Sequence, residues 1–208
     1  SILISEGYSF SIGDEGGFAP DFESDEVALD MIIKAIEAAG YTQKQVKLAL
    51  DVASSEWYET GSYNLRKRGE KKSTDQLIEY ISELVERYPI VSVEDGLSED
   101  DWQGFKTLTD TLGDKVQLVG DDLFVTNTER LSKGISEECG NAILIKLNQI
   151  GSLSETLDAI QQLTGYAVNR GRSHRARIHV DAEGYRARRE ESLERLARKT
   201  AARAVKYR

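Results

Sequence analysis

The strongest constraint on the fold is a set of four short apolar runs, each of which ends in a charged residue. The runs are rich in Val, Ile and Leu and do not alternate strictly with polar residues. This pattern is typical of strands in a parallel sheet, which are buried on both faces. The runs end at Asp51, Glu94, Asp121 and Lys146. The sequence therefore predicts four buried strands with a charged group at each carboxyl end.

The four charged strand ends predict a common site. In a barrel of parallel strands the carboxyl ends open onto one mouth, so Asp51, Glu94 and Asp121 would converge there, with Lys146 beside them. Three carboxylates in one place favour a cation, and hard oxygen ligands suit Mg²⁺. The alternative is that each acid is a solvated residue at the end of its strand. Four charged ends in one register, separated by helices, favour the shared site.

Helical segments separate the apolar runs. Ser24 precedes a helix that should end near Gly40, and Ser73 and Gln76 have the spacing of a capping box. Pro89 should end the second helix before the next strand. Further helices are predicted over residues 98–112, from Asn127 and over 152–164, with a polar loop over 61–72. This alternation predicts an α/β protein with a parallel sheet, either open or closed.

The charge of the chain is divided unevenly. The 208 residues carry a net charge of −9, but residues 163–208 hold 13 Lys and Arg against 5 Asp and Glu, a balance of +8. The first 162 residues hold 14 and 31, a balance of −17. The acidic part suits cation binding, and the basic part suits phosphate or nucleic acid. We therefore predict one domain over residues 1–160 and a short basic α+β tail over 161–208, with a strand over 177–182 and an Arg-rich helical run over 184–207.

Composition narrows the classes of protein that fit. No run of eighteen apolar residues is present, so no membrane span is expected, and no secretory signal is recognisable. Cys139 is the only cysteine, which precludes an intrachain disulfide and fits the reducing cytoplasm. The sequence begins without Met, which suggests a fragment or a processed product.

A glycine-rich acidic loop precedes the four strand ends. Residues 13–20 place two acids among three glycines, a loop that can approach a ligand closely but that is, by itself, equally an acidic turn. Four further segments follow it at the strand ends, namely Leu50–Glu56, Val93–Leu97, Gly120–Asn127 and Ile145–Gly151. In this order, the loop and these segments resemble the motifs of the enolase family over about residues 6–160.

The resemblance implies part of a (β/α)8 TIM-type barrel and a Mg²⁺-dependent lyase of glycolysis that interconverts 2-phosphoglycerate and phosphoenolpyruvate. Enolase-superfamily sites use a Lys or His base with one or two Mg²⁺ ions. By resemblance, Asp51, Glu94 and Asp121 would hold Mg²⁺. Lys146 would be the base that takes the proton beside the substrate carboxylate, and Glu15 would be the general acid for the departing hydroxyl. Substrate would also contact Glu94, Asp121 and Lys146.

The sequence departs from the family's pattern in three places. The amino-terminal domain with the first barrel strands, and the late segments with a second active-site lysine, have no counterpart, so low activity is expected of this chain alone. After about residue 160 the resemblance weakens. There, Ser173, His174 and Arg175 resemble the family's Ser-His-Arg substrate loop, with a basic loop as the alternative. A partial barrel leaves strand edges uncovered, so a homo-oligomer is also expected.

In the tail, residues 167–170 and 180–193 resemble the carboxy-terminal half of the KH domain of the bacterial Jag family of RNA-binding proteins. This resemblance implies that Gly151 begins a Gly-x-x-Gly loop, which clamps a nucleic-acid backbone, although Ser154 replaces the second glycine. It also implies that RNA phosphates are contacted by Arg186, Arg188 and Arg189. The chain would then be a chimera of two families. The alternative functions are therefore weak, salt-dependent RNA binding and a scaffold without a ligand.

Overall fold

The computed structural model describes residues 2–13, 16–169 and 177–180, and for 166–169 and 177–180 it describes the backbone alone. The chain forms two compact units. The first unit comprises the chain up to Leu48 together with Glu59–Val91, and the second comprises Ala49–Tyr58 together with the chain from Ser92 onward. All four predicted strand-end residues belong to the second unit.

Helices and strands alternate along most of the described chain. The helices are α1 (Ile2–Ser5), α2 (Asp25–Ala38), α3 (Thr74–Arg87), α4 (Trp102–Leu112), α5 (Thr128–Glu137), α6 (Leu147–Ile150) and α7 (Leu153–Asn169), with a 3₁₀ helix at Ser54–Trp57. The strands are β1 (Leu48–Asp51), β2 (Tyr58–Glu59), β3 (Ser62–Leu65), β4 (Glu70–Lys72), β5 (Ile90–Glu94), β6 (Gln117–Gly120), β7 (Ala142–Ile145) and β8 (Arg177–Val180). In the part of the chain described, no helix combines the length and apolar character needed to cross a membrane.

The predicted parallel sheet is confirmed. Its strand order is β1-β5-β6-β7-β8, and the pairs β5/β6, β6/β7 and β7/β8 are parallel. All four residues of β6 are buried, as expected of a strand covered on both faces. Because Glu94 pairs with Val119 and Gly120 pairs with Ile143, the carboxyl ends of β5, β6 and β7 lie side by side. Of the predicted strand over 177–182, residues 177–180 form β8, and residues 181 and 182 lie outside the described residues.

Local side-chain bonds begin the helices where the sequence predicted. The Ser24 hydroxyl accepts the Val27 N–H at 3.4 Å at the start of α2. At the start of α3, Ser73 and Gln76 make both bonds of the capping box. Gly40, just after α2, has φ +83°, the left-handed conformation that glycine adopts readily.

The predicted polar loop over residues 61–72 is wrong. Strands β3 and β4 pair antiparallel there, with Tyr63 opposite Lys72 and Leu65 opposite Glu70. Tyr63 and Leu65 are buried, whereas Asn64 between them is partly exposed. Only two apolar side chains therefore mark the buried face of this hairpin, and the many charged residues around them hide the alternation.

Packing around Phe124 shapes the segment that follows β6. A Cβ atom at Gly120 would lie 2.5 Å from the Phe124 ring, and one at Gly134 in α5 would also overlap that ring. Phe124 is itself buried. These small residues let the ring lie against β6 and α5, which holds the chain between residues 121 and 126 at the end of the strand.

Candidate metal and acid–base site

Four charged residues lie at neighbouring strand ends in the second unit. Asp51 and Glu94 are the last residues of β1 and β5, and Asp121 and Lys146 directly follow β6 and β7. Asp51 is exposed and Glu94 is half-buried, whereas Asp121 is only 7% exposed. The burial of these three acids therefore increases from Asp51 to Asp121, and Asp121, the most buried of the three, lies beside Lys146.

Three carboxylates form a strand-end cluster of Glu94, Asp95 and Asp121. One oxygen from each lies within 4.8 Å of the others. Asp51 is not part of this group, but its charge helps to raise the pKa of Glu94. The second unit therefore brings three carboxylates together, with Asp51 close enough for its charge to act on Glu94, and their oxygens are donors of the kind that Mg²⁺ prefers.

The environment of Glu94 disfavours its charge. Burial raises its pKa most, and the negative charges of Asp51, Asp121 and Asp95 raise it further, to about 7, against a smaller lowering by Lys146. Burial and like charges both penalise an ionised carboxylate. A divalent cation would relieve this penalty, so the donor set fits Mg²⁺ by its chemistry.

Asp95 was not among the predicted site residues, and its contacts give it a different role. Its carboxylate accepts the backbone N–H groups of Asp121 at 3.1 Å and Asp122 at 2.8 Å. It is only 3% exposed. Burial raises its pKa to about 7, although the backbone bond from Asp122 works against the rise. Asp95 therefore fastens the segment that carries Asp121 to the end of β5, a bond that its place beside Glu94 in the sequence does not reveal.

Lys146 reaches across from β7 to β6. Its Nζ lies 2.5 Å from Asp121 Oδ2, and its side chain is 26% exposed. In this geometry the ammonium group places a positive charge at the edge of the strand-end cluster. A lysine in this position can also exchange a proton with a bound ligand once it is in the amine form.

Comparison with known families identifies the fold that carries this site. The enolase C-terminal TIM barrel domain matches residues 3–182 of the 208-residue chain. The chain belongs to the enolase family. The predicted fold, part of a (β/α)8 barrel, is thereby confirmed together with the parallel sheet. The match supports the enolase resemblance and gives no support to a KH-like tail.

Several predicted site residues lie outside the described residues. They are Glu15, Ser173, His174 and Arg175 of the predicted enolase-family site, and Arg186, Arg188 and Arg189 of the predicted RNA contacts. Around Glu15, the Gly13 N–H donates to Gly17 O at 2.9 Å, and Ile12 bridges to Phe18. Gly151 ends α6 with φ +90°, which a helix-terminating glycine adopts without any nucleic-acid role. RNA contacts and the division at residue 160 stay predictions.

Proposed function

We propose that this enolase-family chain takes part in the Mg²⁺-dependent dehydration of 2-phosphoglycerate to phosphoenolpyruvate. The observation that carries the proposal is the convergence of Glu94, Asp121 and Lys146 at neighbouring strand ends. A base beside carboxylates that can hold a cation is the combination required to take a proton next to a carboxylate. The carbon acid is weak, and a cation would offset the extra negative charge of its conjugate base. The proposed ligands are Asp51, Glu94 and Asp121.

Lys146 supplies the proton-transfer step in this proposal. As an amine it takes the proton from the carbon beside the substrate carboxylate, and the electrons of that C–H bond form the C=C bond. The C–O bond of the neighbouring hydroxyl breaks, and Glu15 protonates the departing oxygen to give water. When bound at the carboxylates, Mg²⁺ supplies positive charge against the negative charge that develops on the substrate.

Proton abstraction can be tested separately from complete turnover. The chain would be incubated with 2-phosphoglycerate and Mg²⁺ in D₂O, and exchange of the proton beside the carboxylate followed by NMR. We expect exchange with the wild type and with Lys44→Ala, which removes an exposed lysine of the first unit, and a loss of about 100-fold or more with Lys146→Ala. Equal exchange with and without Lys146 would overturn its role as the base.

Formation of phosphoenolpyruvate is the second measurement. Any turnover that persists unchanged in Lys146→Ala, or without a divalent cation, would argue against the enolase reaction. A scaffold without a ligand would show neither exchange nor Mg²⁺ binding.

A further inference from the structure

A network of hydrogen bonds joins Asp121, at the end of β6, to Lys146, at the end of β7. Gln149 Nε2 donates to Asp121 Oδ1 at 2.7 Å, while Lys146 Nζ donates to the other oxygen, Oδ2, at 2.5 Å. Gln149 Oε1 accepts the Thr126 hydroxyl at 3.0 Å. The same hydroxyl accepts the Lys146 backbone N–H at 2.9 Å. Four residues therefore form a closed ring of bonds.

The chemistry of this ring allows one orientation of the Gln149 amide. Its NH₂ group must face the carboxylate of Asp121, which accepts only, and its oxygen must then face the Thr126 hydroxyl. Reversing the amide would place its oxygen against Asp121. The Thr126 hydroxyl donates its one proton to Gln149 Oε1, so towards the Lys146 backbone N–H it can only accept. Each bond therefore determines the direction of the next.

Thr126 is held in place by the backbone around it. It is fully buried, and both Val125 and Thr126 have positive φ, +43° and +56°. Such values are uncommon for β-branched residues. The Val125 N–H donates to Asp121 O at 2.7 Å, so the turn that carries Thr126 starts from Asp121 itself. This conformation directs the hydroxyl to Lys146, which directly precedes α6, and to Gln149 within α6.

We propose that Gln149, anchored by Thr126, is a positioning residue that orients the Asp121 carboxylate and couples it to the Lys146 strand end. The inference rests on the proposed function, because it assumes that Asp121 helps to bind the cation. Without Gln149, the carboxylate of Asp121 would lose the partner of one oxygen and rotate more freely. Outer partners that orient ligating carboxylates commonly change metal affinity when they are removed.

Mg²⁺ titration by calorimetry on the full chain tests the proposal. Gln149→Met removes both bonds of the amide, and Thr126→Val removes the hydroxyl while keeping the shape of the side chain. We expect each to weaken Mg²⁺ binding by about 10-fold, the lower end of the range for such partners. Thr126→Ser keeps the hydroxyl and should retain the affinity that Thr126→Val loses. Thr156→Val, which removes another buried hydroxyl of the second unit, should bind like the wild type.

The double variant Thr126→Val/Gln149→Met separates positioning from general loosening. If Thr126 acts through Gln149, the double variant should be no weaker than Gln149→Met alone, whereas independent effects would add. Additive losses, or unchanged affinity in Gln149→Met, would overturn the proposal. So would Thr126→Ser binding as weakly as Thr126→Val. If Thr126→Val does not fold, as judged by circular dichroism, Gln149→Met decides the question.

Asp121→Asn distinguishes the failure of this inference from that of the proposed site. If Asp121→Asn weakens Mg²⁺ binding but Gln149→Met does not, the positioning role is wrong and the metal site stands. If Asp121→Asn binds Mg²⁺ like the wild type, both are overturned, because a residue cannot act on the cation through a carboxylate that does not bind it.

Discussion

Glu26 in the first unit and Glu94 in the second are both partly buried, but their neighbours differ in charge. Glu26 lies beside an arginine, whereas Glu94 lies among other acids. The Arg68 guanidinium lies against Glu26. Burial raises the pKa of Glu26, but hydrogen bonds from Arg68, the backbone and Ser24 outweigh it and lower the pKa to about 2. Burial and three neighbouring acids instead raise the pKa of Glu94 to about 7. The positive charge of Arg68 therefore balances Glu26. The positive charge near Glu94, from Lys146, is too small in effect to balance the acids around it.

The two glutamates therefore differ in how their negative charge affects the stability of the folded chain. A paired carboxylate gains stability from its partner in the folded state, whereas crowded carboxylates cost stability until a cation joins them. At Glu94 this cost is the charge imbalance that the proposed cation would offset. Asp25 and Asp30, which accept the hydroxyls of Tyr80 and Tyr88, extend the paired region of the first unit.

The largest expected difference between the two glutamates is in cation binding. Glu94→Gln should weaken Mg²⁺ binding by more than about 100-fold, because loss of a ligand should exceed the effect of losing an outer partner. Glu26→Gln should leave the affinity unchanged, and calorimetric titration of both variants provides the comparison. Equal affinities would remove Glu94 from the proposed site.

The next difference is in stability without Mg²⁺. Glu26→Gln leaves the Arg68 side chain, 24% exposed, without its carboxylate, so a loss of about 2 kcal/mol in the free energy of unfolding is expected. Glu94→Gln removes a repelled charge and should be neutral or stabilising. Urea unfolding measures both. The double variant Glu26→Gln/Arg68→Met should recover part of the loss, and an equal loss at Glu94 would contradict the contrast.

The two glutamates should also give opposite pH dependence of stability. Glu26 has a lowered pKa, so its contribution is complete above its ordinary pKa of 4.5 and is lost as the pH falls towards about 2. Glu94 has a raised pKa, so the folded state holds its proton more tightly and stability falls as the pH rises from 4.5 through about 7. Unfolding free energies across this range should show both trends.

Variants assign each trend to its residue. Glu26→Gln should remove stability mainly above pH 4.5. Glu94→Gln should make the decline towards pH 7 smaller, and Asp95, whose pKa is also raised to about 7, should account for the part that remains. Saturating Mg²⁺ should flatten the same decline, because bound cation stabilises the ionised cluster. A decline towards pH 7 that neither Glu94→Gln nor Mg²⁺ alters would assign it to other groups.

The smallest effect should come from Tyr80. Its hydroxyl donates to Asp25 Oδ2 at 2.9 Å, and burial, with the charge of Asp25, raises its pKa and keeps the hydroxyl protonated. Tyr80→Phe should cost about 1 kcal/mol and leave Mg²⁺ affinity unchanged. The exposed Tyr41→Phe is the matched control in urea unfolding. Equal stability of the two variants would show that this bond contributes little to the paired region.

Local patterns carried the prediction of the strands and helices. Ser24 and Ser73 mark helix starts through bonds to residues three positions away, so the sequence alone contains both partners. The strand that ends at Glu94 is likewise recognisable from its apolar run. The hairpin at Tyr63 and Leu65 was missed because its buried face shows only two apolar side chains among charged residues.

Patterns a few residues long are enough to predict the alternation of strands and helices. The same patterns place Asp51, Glu94, Asp121 and Lys146 at strand ends. The partners that these residues meet depend instead on the tertiary structure. The contacts of Asp121 with Lys146 and Gln149 join positions 25 and 28 residues apart, and the turn at Thr126 adopts a backbone that its side chain disfavours. Such contacts depend on how neighbouring strands are brought together, and no short segment contains that information.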